Sequence, residues 1–101
     1  MPDEVRKRLT DALGGRPVPP HGPAERVERE RVRTLLQSVA SCYNSLAARE
    51  TDPERRAELV AQVGFQDNEL RRLDAMSGAE RRTVISTYPE LLARLRAELD
   101  G

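Results

Sequence analysis

The side chains able to do chemistry in this chain are few and scattered. His21 is the only histidine and Cys42 the only cysteine. A zinc site draws three or four ligands from His, Cys and carboxylates, and neither residue has a second imidazole or thiol to work with. His21 also sits in the run Arg16 to Pro23, where four of eight residues are proline. Such a run forms an extended linker, not a helix that could hold a base in place. Cys42 lies at an apolar spacing and reads as a small buried side chain. A nucleophilic thiol needs an adjacent cation or a helix N-terminus, and the sequence places neither beside it. No catalytic, cofactor-binding or metal-ligating residue is therefore assigned, and the chain reads as a non-enzyme.

Arginine is the abundant functional group: there are sixteen, against one lysine. Converging arginines could bind an anionic metabolite, and the polar residues Tyr43, Gln62 and Gln66 could line a pocket with them. That is the principal alternative reading, a small ligand-binding or catalytic helical bundle. Yet most arginines have an acid close by on the same helix, as in Glu25/Arg29 and Glu69/Arg72. Such pairs solvate a helix face and contribute only a few tenths of a kcal/mol each, of order 0.2–0.5. A third reading takes Arg81-Arg82, Pro89, Arg94 and Arg96 as a helix–turn–helix-like DNA-binding regulator. Leu91, Leu92, Leu95 and Leu99 look core-facing there, which leaves little for a recognition surface.

The elements that must position these residues are helical. Val5, Leu9 and Leu13 recur every four residues and predict a short amphipathic helix over 3–13, stopped by Gly14-Gly15. Together with the proline linker it forms a mobile arm, residues 1–23. A bundle domain occupies 24–101. Val32, Leu35, Val39, Cys42 and Leu46 are spaced 3, 4, 3 and 4, the seam of a packed helix over 24–50. The charged first turns, Glu25 to Arg33, are expected in solvent. Asp52-Pro53-Glu54 opens a second helix, to about residue 74, because Asp caps and Pro suits the first helical position. Its seam is Leu59, Val63, Gln66, Leu70 and Leu73. Gly64 inside it costs about 1 kcal/mol against alanine and suggests close approach of the first helix, or a kink. Gln66 on the seam suggests a register-fixing hydrogen bond, to Tyr43 or to a ligand. Ser77 and Glu80 form a capping box. Pro89 is expected to divide the C-terminal segment into helices 78–87 and 90–100. The fold class is all-α: an antiparallel helical hairpin closed by two short C-terminal helices.

The totals narrow the function. Seventeen basic and seventeen acidic residues give zero net charge over 101 residues, which argues against nucleic acid and anionic membrane as partners. No run is long and apolar enough to span a bilayer, and a lone cysteine fits a reducing cytoplasm. Leu, Ile, Val and Phe total 22 residues and aromatics are 3%, so the core is thin. Thin cores often need a second chain.

The most informative stretch is Thr34 to Ala48, fifteen residues with no charge. It forms about 22 Å of helix. A helix uncharged on all sides is normally surrounded, either by its own chain or by a second copy. The reading adopted is a small non-catalytic helical protein that binds another protein, itself as a homodimer in the simplest case, in a regulatory or accessory role. Its expected contact residues are Val5, Leu9 and Leu13 on the arm and Leu36, Ser41, Tyr43 and Ser45 on the helix.

Overall fold

A computed structural model describes residues 22–101. Three helices pack together, and no strand occurs among the described residues. The first, α1 (Pro23–Arg49), starts with proline in its first turn, where a missing N–H costs nothing. It ends before Glu50, which turns extended. The orphan Glu50 carbonyl is then held by the Arg56 guanidinium, at 3.0 Å from Nε and 2.9 Å from Nη2. Asp52 caps α2 (Pro53–Arg72) by accepting from the Arg55 amide at 2.9 Å. A single 3₁₀ turn (Leu73–Ala75) follows. Ser77 then opens α3 (Gly78–Asp100) with a complete capping box: Ser77 Oγ accepts from the Glu80 amide at 3.1 Å, and the Ser77 amide donates to Glu80 Oε1 at 2.9 Å.

Contacts between helix ends fix the directions. Arg29, near the start of α1, pairs with Asp74 just past the end of α2, so these two run antiparallel. Arg81, at the start of α3, pairs with Glu25 and Glu28 at the start of α1. At the opposite end Arg49 donates to the Leu99 carbonyl at 2.6 Å, so α1 and α3 run parallel. Both α2 and α3 pack along α1, whereas their own backbones do not meet. Side chains alone bridge them: Arg72 with Glu80, Tyr88 with Gln66, and Arg55 with Glu98. An open cleft therefore separates α2 from α3, with α1 beneath it.

The core follows the expected seam. Val32, Leu35, Val39, Cys42 and Leu46 are all buried, with Leu59 and Leu73 from α2 and Val84, Leu92 and Leu95 from α3. Val63 and Leu70 are half-buried. Burying a leucine fully is worth about 1.5–3 kcal/mol, so this set supplies most of the favourable energy.

Two expectations are corrected. Pro89 does not split the C-terminal segment; α3 is one helix of 23 residues with the proline inside it. A proline interior to a helix costs roughly 3 kcal/mol. Here the apolar positions Val84, Tyr88, Leu92, Leu95 and Leu99 keep helical phase across it, and residues of both halves pack into the shared core with α1. Thr83, Ser86 and Thr87 turn their hydroxyls back onto the carbonyls of Ala79 and Thr83, a pattern that accommodates bending. The charged start of α1 is not wholly solvated either: Arg29 is only 7% exposed and Val32 is fully buried.

Candidate functional site

The uncharged stretch of α1 divides into two faces. Leu35, Leu36, Val39, Ala40, Cys42, Leu46 and Ala47 point under α2 and α3 and are buried. On the other side Thr34, Gln37, Ser41, Asn44, Ser45 and Ala48 are exposed, and Ser38 is half-buried. Thr34, Ser38, Ser41, Ser45 and Ala48 recur at 4, 3, 4 and 3, so one continuous strip runs along the helix. The described residues thus cover the apolar side of 34–48 and leave its small polar side exposed. Towards the N-terminus the strip continues over Val27, which is 70% exposed, beside Glu30 and Arg31.

The expected contact residues separate accordingly. Ser41 and Ser45 lie on the open strip. Leu36 does not: at 0% exposure it is core, because its position on the helix faces the opposite way. Tyr43 also faces away from the strip, half-buried at the floor of the cleft between α2 and α3. Val5, Leu9 and Leu13 fall outside the described residues, as does His21.

Tyr43 and Gln62 both line that cleft, whereas Gln66 does not. A cavity of about 300 Å³ opens there, floored by Leu59, Leu91 and Leu95. Its polar rim is Arg55, Glu58 and Glu98 at one end of α2 and α3, with Gln62 and Arg94 alongside. Arg55 serves both acids, at 3.4 Å from Glu58 and 3.8 Å from Glu98. Gln66 is only 2% exposed and accepts from the Tyr88 hydroxyl at 3.0 Å. Its partner is Tyr88, not the expected Tyr43. Burial holds the Tyr88 phenol above its ordinary value, and the bond to Gln66 pulls the other way. This pair ties α2 to α3 outside the lining of that cavity. A second depression beyond it is lined by Phe65, Met76, Val84 and Tyr88. Phe65 stands 52% exposed at its edge.

Sequence reasoning missed a buried ionic cluster at the closed end. Arg81 is 5% exposed, donating to Glu28 at 2.7 Å, to the Met76 carbonyl at 2.9 Å and to Glu25 at 3.3 Å. Arg29 donates to Asp74 at 2.8 Å. Arg81 is therefore committed to the bundle and not presented to a phosphate backbone, which removes one of the arginines from the helix–turn–helix reading. Near it, Glu80 is held below the ordinary carboxylate value, first by the Ser77 amide and then by Arg72. Gly64 needs no close approach: a Cβ there would meet nothing within 4 Å, so that reading is corrected too. Cys42 is buried among apolar neighbours. No group of three or more His, Cys, Asp or Glu residues that could hold a metal occurs among the described residues. No helix among them is long and apolar enough to cross a membrane.

No protein family, curated protein or solved structure matches this chain.

Proposed function

We propose that this chain is a small non-catalytic interaction protein, and that the open strip of α1 is its contact surface, with a second copy of the chain as partner. The observation that supports this is the distribution of charge. Exposed positions of α2 and α3 are densely charged, including Glu54, Arg56, Asp67 and Arg71 on one and Arg82, Glu90 and Arg96 on the other. The strip from Thr34 to Ala48 is equally exposed and has none. Charged rows keep helices apart in water; an uncharged row of small residues lets two helix axes approach closely without desolvating an ion. Paired through a two-fold axis, α1 of each copy would lie against the other, giving a six-helix assembly with both apolar cores intact. A regulatory or accessory role is part of the same proposal.

Light scattering behind size exclusion tests this directly. The expected mass is twice 11.4 kDa, concentration-dependent at the dilute end. Ser41→Arg combined with Ser45→Glu would place two ions in the strip and yield a folded monomer. A wild-type chain that stays monomeric at every concentration would overturn the self-association. The DNA-binding alternative predicts retention on heparin that collapses between about 50 and 200 mM salt, and its absence is the expected result.

A further inference from the structure

In the cleft above Tyr43 opposite charges and an apolar floor converge. Its acidic end is over-supplied: the single guanidinium of Arg55 is shared by Glu58 and Glu98, which leaves about one negative charge uncompensated. Its basic side is under-used. Arg94 has Glu90 and Glu98 one helical turn away on either side, and it forms an ion pair or hydrogen bond with neither. It lines the cavity instead, as well as the neighbouring depression over Thr87, Glu90 and Leu91. The Gln62 amide and the Tyr43 hydroxyl have no hydrogen-bond partner among the described residues. Between these two poles lie Leu59 and Leu95, both buried, and the half-buried Leu91.

We propose that this cleft binds a small zwitterion with an apolar side chain, of the class of the apolar α-amino acids, with its carboxylate on Arg94 and its ammonium on Glu58 and Glu98. The charge balance selects this class. A simple anion would meet the excess acid, a simple cation would meet Arg94, and a dianion would be repelled twice over. The volume, about 300 Å³, lies at the small end of ligand sites. The leucines receive the side chain, and Tyr43 and Gln62 supply hydrogen bonds that fix its orientation. The cleft is half open to water, so affinity in the micromolar to millimolar range is expected. This inference does not rest on self-association through α1, since the strip and the cleft lie on opposite sides of that helix.

Titration of the full chain with L-phenylalanine, followed by amide and side-chain chemical shifts, tests it. Saturable changes at Tyr43, Gln62, Leu91 and Arg94 are expected. N-acetyl-phenylalanine lacks the ammonium and phenylalaninamide lacks the carboxylate; each should bind at least tenfold more weakly. Arg94→Gln should weaken L-phenylalanine at least tenfold and, by removing a like charge, bind phenylalaninamide more tightly than the wild type does, while Arg96→Gln on the solvent side changes nothing. Arg94 is exposed, so the variant keeps its fold, which the thermal midpoint verifies. Absence of saturation, changes confined to other surfaces, or equal binding of either blocked form would overturn the proposal.

Discussion

The two halves of α1 invert the usual placement of polarity. At its N-terminal half the bundle buries charge: Arg81 of α3 reaches in to Glu25 and Glu28, and Arg29 reaches out to Asp74. At its C-terminal half the helix exposes a strip with no charge at all. Buried ion pairs seldom contribute much net stability, because desolvation offsets their attraction. The geometry of this cluster suits a register-setting role. It joins the start of α1 to the start of α3 and to the turn after α2, so all three helices are locked at one end. The other end is closed by arginine–carbonyl contacts, Arg49 on Leu99 and Arg56 on Glu50. With both ends fixed by these contacts, the exposed strip takes no part in the packing among the three helices.

The largest way to disturb this comparison is to remove core from beneath the strip. Leu36→Ala should cost about 2–5 kcal/mol, as a fully buried leucine does, while Ser41→Ala on the outer face of the same helix should change monomer stability by less than about 0.5 kcal/mol. Urea denaturation of both variants measures the contrast. Comparable losses would mean that the strip is part of the fold.

Breaking the ionic end comes next. Arg81→Ala strands Glu28 and takes one partner from Glu25; both are partly exposed and can recover some hydration, so about 2–4 kcal/mol is expected, below the upper range for a fully buried pair. Arg82→Ala, one residue along and exposed, should cost less than about 0.5 kcal/mol. The register argument adds a sharper outcome: Arg81→Met, which restores packing without charge, should recover much of the stability yet loosen hydrogen-exchange protection at the start of α3. Full protection in that variant would remove the registering role.

Much of this was legible from the residues alone, and the physical reason is locality. The seam from Val32 to Leu46 and the Ser77–Glu80 box are written in spacings of three and four residues, and the helix reproduces them. Arg81 and Glu25 are 56 positions apart, and local pairing rules assign such arginines to their nearest acids. Pro89 misled for the opposite reason. Its local rule is strong, and only the uninterrupted phase of Val84, Tyr88, Leu92 and Leu95 shows that packing overrides it. Gln66 stood out as a polar residue on a seam, but which tyrosine it meets depends on how far α2 and α3 stand apart. The cleft was half visible: Tyr43 and Gln62 were named, whereas Arg94 gained meaning only once its two helical neighbours were seen to ignore it.

Gly64 offers a smaller and opposite effect. With open space around the missing side chain and no positive φ at any glycine among the described residues, Gly64→Ala should stabilise by about 0.5–1 kcal/mol through helix propensity alone. A loss of stability on thermal melting would show that α2 needs the glycine for a bend.

The smallest expected effect is on pH dependence at the capping box. Glu80 is held below its ordinary value of 4.5, so the folded state favours the carboxylate. The stability it contributes is complete above that ordinary value and is lost as pH falls through the lowered one. Glu80→Gln keeps an acceptor for the Ser77 amide but not the attraction to Arg72, so it should flatten this part of the acid limb, below the ordinary value of 4.5. Tyr88 supplies the alkaline counterpart. Its raised value favours the neutral phenol in the fold, so stability is present below the ordinary value of 10.0 and is lost as pH rises through the raised one. Tyr88→Phe should flatten that limb while opening the α2–α3 bridge at Gln66. If the thermal midpoints of wild type and Tyr88→Phe run parallel at alkaline pH, the tyrosine is not the group that makes this limb.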